Sequence, residues 1–217
     1  NDGVPFVGYL EIDPTFTTTN TYDTTIFDNT NNGLCDSMVN PITGDFTIGM
    51  EISASSTDCY YAYTEFDITS IDDTATISSV NFKGQHTSTS NTNTIDWISM
   101  TVDQPTTRTA LQNADDCNTG TTYVSNDGTF NTAGVQTVDL GTSAVTDVTT
   151  QLSSNWFAVC GVPYDQVQSS SAKYIDLVTT SDAGTAPTLE VTWSIPTSPQ
   201  PPTGLSTTVG IPLGTSW

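Results

Sequence analysis

The sequence predicts an all-β protein, a jelly-roll-like antiparallel β-sandwich with one short helical turn near residues 145–152. Three observations predict it. Apolar and polar residues alternate in many short segments, which is the period of a half-buried strand. Thr accounts for 43 of the 217 residues, and its β-branched side chain suits the outer face of a sheet. Clusters of Gly, Asn, Asp and Ser separate the alternating segments.

Ten segments have the strand pattern. The predicted strands are 4–12, 45–52, 59–68, 75–82, 94–102, 121–125, 135–140, 155–162, 172–179 and 188–195. Turn-rich segments lie between them, at 29–33, 69–73, 113–120, 125–128 and 181–187. Nine or ten short strands with such turns are typical of a sandwich or jelly roll.

One segment follows a helical period instead. Val145, Val148 and Leu152 are spaced i, i+3, i+7, which predicts a short helical turn. Ser143 or Thr146 is placed to cap its N-terminus.

The composition changes at residue 196. We expect a sandwich domain at 1–195, a stiff Pro-rich spacer of roughly 20 Å at 196–202, and a strand-like tail at 203–217. The tail is too short to fold alone, so its apolar residues need a surface to cover them. These residues are Leu205, Val209, Ile211, Leu213 and Trp217. The tail can fold back, begin a following domain, or insert into a neighbouring copy. The alternating segment 4–12 is an alternative donor.

The charge excludes several classes of partner. The net charge is −21, and the cations are only Lys83, Arg108 and Lys173. Nucleic-acid binding and adsorption to an anionic membrane both depend on clustered Lys and Arg. No apolar run approaches the roughly 18 residues that span a bilayer. We therefore expect neither nucleic acid as a partner nor direct membrane insertion.

The four cysteines indicate an oxidising, extracellular or cell-surface location. Cys35, Cys59, Cys117 and Cys160 form no C-x-x-C motif, which argues against a zinc site. Four cysteines allow three pairings. We favour Cys35–Cys59 and Cys117–Cys160, because each closes a moderate loop beside a predicted strand.

A catalytic centre is not expected. His86 is the only histidine, and it lies in the Thr/Ser/Asn-rich segment 84–93, where a solvated loop is predicted. Glycosidase chemistry needs two placed carboxylates, but the 20 Asp residues are mostly in turn-like segments, where Asp bonds its own backbone. The sequence therefore favours a protein that is not an enzyme.

Two kinds of binding site are considered. Calcium takes oxygen ligands from loops, and Asp67, Asp72 and Asp73 are the first candidates, with Asp115/Asp116 and Asp127 as further clusters. The alternative is that these aspartates only cap turns. No cofactor is required.

A surface that binds sugars by stacking needs exposed aromatic rings. Since side chains alternate on a strand, Tyr60, Tyr61 and Tyr63 cannot all face inward. Trp97 either faces out or is buried against the second sheet or a loop.

Residues 40–195 resemble the DNRLRE, or disaggregatase-related, β-sandwich domains. The family pattern RxxLxFDLSxIPxxAxIxSAxLxL is matched by AYTEFDITSIDDTATISSVNF. The matching positions are Phe66, Asp67, Ile71, Ala75, Ile77, Val80 and Phe82. Segments VDLGTSAVTDVTTQLSSNWFAV and AKYIDLVTTSDAGTAPTLEVTW resemble the family's later blocks. The family's Arg is absent, and the four cysteines are additions.

The resemblance implies a jelly-roll-like, non-catalytic module of secreted and cell-surface proteins, of which some are regarded as carbohydrate-binding. The segment SPQPPTGLSTTVG is similar to the first strand of a fibronectin type III domain. We expect a non-catalytic structural subunit of a surface filament, sheath or adhesive stalk, which contacts copies of itself head-to-tail or other surface proteins. The alternative is a carbohydrate-binding module with glycans as partners.

Overall fold

The structure is a computed structural model, and it describes residues 14–28, 34–36, 38, 40–43, 46–52, 57–166, 172–179 and 184–196. Its strands are β1 Thr15–Asp28, β2 Asn40–Thr43, β3 Thr47–Ile52, β4 Thr57–Asp67, β5 Thr76–Ser90, β6 Ile95–Ser99, β7 Thr122–Asp127, β8 Gly134–Asp139, β9 Trp156–Pro163, β10 Lys173–Leu177 and β11 Thr188–Ser194. Its α-helices are α1 Ala110–Thr119 and α2 Gly141–Gln151. The all-β prediction is confirmed, and every strand pairing is antiparallel.

The strands form a sandwich-like fold in two layers. In the first layer the order is β1, β11, β5, β8. In the second layer β10, β3, β4, β9, β6 and β7 follow one another. The long strands β1 and β5 belong to both layers, because each changes partner along its length: β1 pairs with β11 and then with β4, and β5 pairs with β11 and then with β10. Two long bent strands therefore join the layers.

The inner core lies between the layers. The first layer contributes Val80, Phe82, Leu189 and Val191, and the second contributes residues such as Trp97. The Phe82 ring lies 4.6 Å from that of Trp97, centroid to centroid, and both side chains are fully buried. Each of these large rings removes much apolar area from water, which stabilises the contact between the layers.

A second, smaller outer core lies on the other face of the second layer. Strand alternation places Tyr61 and Tyr63 of β4 there, together with Ala158 of β9. Helix α1, Cys35 and Met38 cover this face, and disulfides tie α1 and Cys35 to it. The bonds are Cys35–Cys59 and Cys117–Cys160, the same pairing that the sequence favours.

Gly49 in β3 separates the two cores. The sequence predicts Ile48 and Met50 on one face, but Ile48 lies in the inner core and Met50 in the outer core. Gly49 has a φ of +140°, and a Cβ there would lie 2.2 Å from the Lys173 carbonyl oxygen. Only glycine fits this conformation and this close approach of the neighbouring strand, so the alternation breaks here.

Helix α2 is the predicted helical segment, but it is longer. It begins at Gly141 rather than near Val145, so neither Ser143 nor Thr146 is its cap. Instead the Gly141 amide donates to Asp139 Oδ1 over 2.8 Å. Val148 is buried in the inner core, as its spacing predicts.

Helix α1 replaces a predicted turn. Residues 113–120 were expected to form turns because they are rich in Asn and Asp, and that expectation is wrong. Thr109 and Gln112 form a capping box, with the Gln112 amide donating to Thr109 Oγ1 and the Thr109 amide donating to Gln112 Oε1. Cys117 and Ala114 face the outer core, so burial and the disulfide outweigh the turn preference.

Candidate functional site

A groove lies beside the second layer, where β2, β3, β4 and β10 approach one another. It encloses about 280 Å³ and is lined by Ile42, Thr47, Glu51, Tyr60, Tyr174 and Asp176. Tyr60 and Tyr174 are both half-buried, so part of each ring faces the groove. The groove combines two aromatic rings with two carboxylates.

Hydrogen bonds hold the polar groups of the groove in place. Thr47 Oγ1 donates to Asp176 Oδ1 over 2.7 Å, and Ser88 Oγ donates to Asp176 Oδ2 over 2.6 Å. The Tyr60 hydroxyl donates to Glu51 Oε2 over 3.1 Å. Burial, followed by the negative charge of Glu51, raises the pKa of Tyr60 above its usual value. Tyr60 therefore stays protonated and acts as a donor.

The groove suits a neutral ligand that carries hydroxyl groups. The ring of Tyr60 stacks on that of Phe27, with centroids 5.9 Å apart, so its position is fixed. A sugar ring can lie on a fixed aromatic face, and carboxylates accept hydrogen bonds from its hydroxyls. An anionic ligand is disfavoured, because Glu51 and Asp176 lie in the same groove.

The sheet also has open edges. Among the described residues, β2, β7 and β8 each pair with a neighbour on one side only: β2 with β1, β7 with β6, and β8 with β5. An edge strand presents unpaired backbone N–H and C=O groups, with which another chain can pair. These edges are the second candidate for an interaction surface.

The cations do not form a positive surface. Each of the three is in an ion pair, so its charge is locally neutralised. The pairs are Lys83–Glu190, Arg108–Asp116 and Lys173–Asp165. Burial raises the pKa of the Asp116 carboxyl, although Arg108 beside it opposes that rise. The remaining Asp and Glu residues leave the protein strongly acidic.

The aspartates predicted to bind calcium lie in two separate turns. Asp67 Oδ1 accepts hydrogen bonds from the amide and hydroxyl of Thr69, and Asp72 Oδ1 accepts the same pair from Thr74. These bonds lower the pKa of both carboxyls. Asp73 is exposed. The described residues contain no group of three His, Cys, Asp or Glu side chains that could hold a metal. Calcium binding stays a prediction.

His86 is not in a solvated loop. Strand β5 continues to Ser90, and His86 lies within it opposite Gly134 of β8 and Leu177 of β10. Its exposed fraction is 9%, and in the described structure neither ring nitrogen has a hydrogen-bond partner. The expectation of a loop is wrong because the Thr/Ser-rich segment after Phe82 forms the second half of a long strand.

The aromatic candidates divide between the faces of the sheet. Trp97 is fully buried, and its Nε1 donates to Asp127 Oδ2 over 2.9 Å. Tyr61 and Tyr63 are buried in the outer core. Of the four aromatic candidates only Tyr60 lines the groove.

The sequence did not single out Glu51, Tyr174 or Asp176. The signal that could have found them is the strand period: Tyr174 and Asp176 are two residues apart in a predicted strand, so they share a face. What the sequence cannot give is that β10 pairs with β3.

The predicted assembly residues Leu205, Val209, Ile211, Leu213 and Trp217 lie outside the described residues, as does the alternative donor at 4–12. The described part of the chain contains no helix long and apolar enough to cross a bilayer.

Comparison with protein-family models gives no match for this chain, and comparison with curated proteins gives none either.

Proposed function

We propose that this protein is a non-catalytic, extracellular structural subunit of a surface assembly, such as a filament, sheath or stalk, whose copies join by strand donation. The observation that carries the proposal is the combination of open sheet edges with an apolar, alternating C-terminal segment. Residues 205–213 alternate Val209, Ile211 and Leu213 with small residues and Pro212. A strand with this pattern satisfies a sheet edge and covers its own apolar face in one step.

The disulfides support an extracellular location. Both bonds lie in the outer core, where helix α1, Cys35 and Met38 cover the sheet. Disulfides of this structural kind persist in oxidising compartments. The resemblance of residues 40–195 to DNRLRE domains supports the same assignment, because those domains recur as non-catalytic modules of secreted and cell-surface proteins.

Electron microscopy of the purified full chain tests the proposal. We expect filaments, because donation from one copy to the next is head-to-tail and does not close. The variant Val209→Asp/Ile211→Asp should remain monomeric, since two charges cannot be buried along a donated strand. Thr203→Asp/Thr208→Asp adds the same charge outside the alternating row and should still assemble. Identical monomers from all three proteins would refute the proposal.

A second function, carbohydrate binding, is favoured by the groove at Tyr60. It combines fixed rings with carboxylate acceptors, which is an arrangement that suits a neutral sugar. A glycan array of the full chain tests it. Tyr174→Ala should lose the array signal, whereas Tyr164→Ala, which removes an exposed tyrosine away from the groove, should keep it. A glycan array without hits would contradict carbohydrate binding and would have no bearing on the proposed assembly.

A further inference from the structure

We propose that the outer edge of β8 is the acceptor site for the C-terminal segment 205–213 of a neighbouring copy. This inference rests on the proposed assembly by strand donation, and it names the surface that the donated strand pairs with. It is carried by a comparison of the three edges in the described part of the sheet.

Two of the three edges have features that block strand addition. Strand β2 has only four residues and contains Pro41, which has no N–H to donate. Strand β7 has two register shifts against β6, and its Tyr123 hydroxyl donates to Asp147 of α2 over 2.6 Å, so the helix lies against it. Prolines, short edges, bulges and covering helices are the usual ways in which proteins protect an edge.

Strand β8 has none of these protections. Its six residues pair with β5 in unbroken register, from Asp139 opposite Asn81 to Gly134 opposite His86. It contains no proline and no lysine. Among the described residues no strand pairs with its other side. In an antiparallel edge strand alternate residues point their N–H and C=O groups away from the partner, so this edge offers a regular row of backbone groups.

The side chains of β8 also suit pairing with a strand whose apolar side chains lie on one face. Val135 is 53% exposed, and Thr137 is exposed on the same face. Both present methyl groups to solvent beside the open edge. Cross-strand pairs of β-branched residues stabilise a sheet, so the side chains of Val209 and Ile211 find suitable partners here.

A comparison of the charges of the two candidate donor segments favours the C-terminal one as the strand that pairs with β8. No charged residue follows Glu190 in the sequence, whereas the alternative donor at 4–12 contains Glu11 and is followed by Asp13. The edge itself ends in the exposed carboxylate of Asp139. In a protein of net charge −21, an uncharged strand approaches such an edge with less repulsion than an acidic one.

The direction of the chain favours a neighbouring copy as the source. Strand β11 and strand β8 both run antiparallel to β5, so they run in the same direction. After Ser194 the chain would have to reverse to pair antiparallel with its own β8. The spacer at 196–202 contains four prolines, and such segments are stiff and extended. A stiff spacer of this composition is expected to disfavour such a reversal, which leaves another copy as the acceptor.

Photo-crosslinking of the full chain tests this site. Val135→p-benzoylphenylalanine places the photoreactive group on the β8 edge. As a control, Val102→p-benzoylphenylalanine places it at an exposed valine outside β8. Equal amounts of unlabelled and ¹⁵N-labelled protein are mixed under assembling conditions, irradiated and digested. We expect crosslinks between position 135 and peptides of 203–217, with mixed isotopes, and none of these from position 102.

The outcomes separate this inference from the proposed function. Filaments with crosslinks from position 135 to any other segment would overturn β8 as the acceptor and leave assembly intact. Crosslinks to the tail of the same chain only, in a monomeric protein, would overturn both. As a second measurement, Val135→Glu/Thr137→Glu should abolish assembly, and Val102→Glu/Leu111→Glu should not. Filaments formed by the β8 variant would also overturn the site.

Discussion

The two cores of this protein are held together in different ways. Among the residues that the structure describes, the inner core comprises 24 buried residues, including the rings of Phe46, Phe66, Phe82 and Trp97, and no cysteine. The outer core comprises 15 of the described residues, and all four cysteines are among them. This difference indicates which part of the fold needs covalent bonds to stay closed. Two facing sheets bury enough apolar area to stay closed. The short helix α1 and the segment at Cys35 bury less, and each is fastened to the back of the sheet by one disulfide.

A cavity in the inner core should give the largest loss of stability. Phe82 is fully buried and packs against four other rings at centroid distances between 4.6 and 6.3 Å. Phe82→Ala should lower the free energy of unfolding by about 5 kcal/mol, because it leaves a cavity between the layers. Urea unfolding measures this, with Val102→Ala as the exposed control. A loss below about 1 kcal/mol would contradict the packing described here.

Removing a disulfide of the outer core should lower the stability slightly less, and the loss of structure should be local. The Cys117–Cys160 bond joins residues 43 apart, so Cys117→Ala/Cys160→Ala should lower the free energy of unfolding by about 4 kcal/mol. Hydrogen exchange should show the protection of α1 lost first, while β5 and β11 stay protected. Equal loss of protection in both cores would mean that they unfold as one unit.

At the boundary between the cores, the stability of the protein should depend strongly on Gly49. Gly49→Ala places a Cβ at 2.2 Å from the Lys173 carbonyl oxygen, so β3 and β10 must separate. We expect a loss of about 3 kcal/mol. Gly141→Ala is the matched control, because Gly141 also has a positive φ, +75°, but no atom lies within 4 Å of its added Cβ. The control should lose about 1 kcal/mol. Equal losses in thermal unfolding would mean that the close approach is unimportant.

Replacing Asp67, an exposed residue outside both cores, should give the smallest effect on stability. Hydrogen bonds from Thr69 lower the pKa of Asp67 in the folded state. Its contribution is therefore present above the unfolded pKa of about 4 and is lost as the pH falls through the folded value. Asp67→Ala should cost about 0.5 kcal/mol at pH 7, and this cost should shrink as the pH falls below about 4. Asp73→Ala, an exposed aspartate nearby, should cost nothing at either pH. A cost for Asp67→Ala that is unchanged at pH 2 would contradict the role of its charge.

The sequence predicts the inner core better than the outer one. Alternation in 75–82 and 188–195 corresponds to β5 and β11, and the helical spacing of Val148 and Leu152 corresponds to α2 and the turn after it. These signals depend on local periods alone. In the outer core, helix α1 was missed because it contains residues typical of turns and is stabilised by contacts with a distant strand.

Strand β1 was missed for a related reason. Its sequence TFTTTNTYDTTIFD has few large apolar residues, and it buries polar side chains that bond one another. Asn20 Nδ2 donates to Asp23 Oδ2 over 2.7 Å, and Thr64 of β4 donates to the Tyr22 carbonyl over 3.0 Å. Polar groups satisfied in this way can be buried, but hydropathy gives no sign of it. The groove escapes prediction similarly, because its residues come from four strands.

Sedimentation velocity of the full chain at low and high salt tests the proposed assembly most directly. A net charge of −21 should keep copies apart at about 10 mM salt, where the Debye length is about 30 Å. At about 1 M salt the repulsion is screened to about 3 Å, and we predict a series of large species. The Val209→Asp/Ile211→Asp variant should sediment as a monomer in both. A full chain that stays monomeric at both salt concentrations would contradict assembly by strand donation.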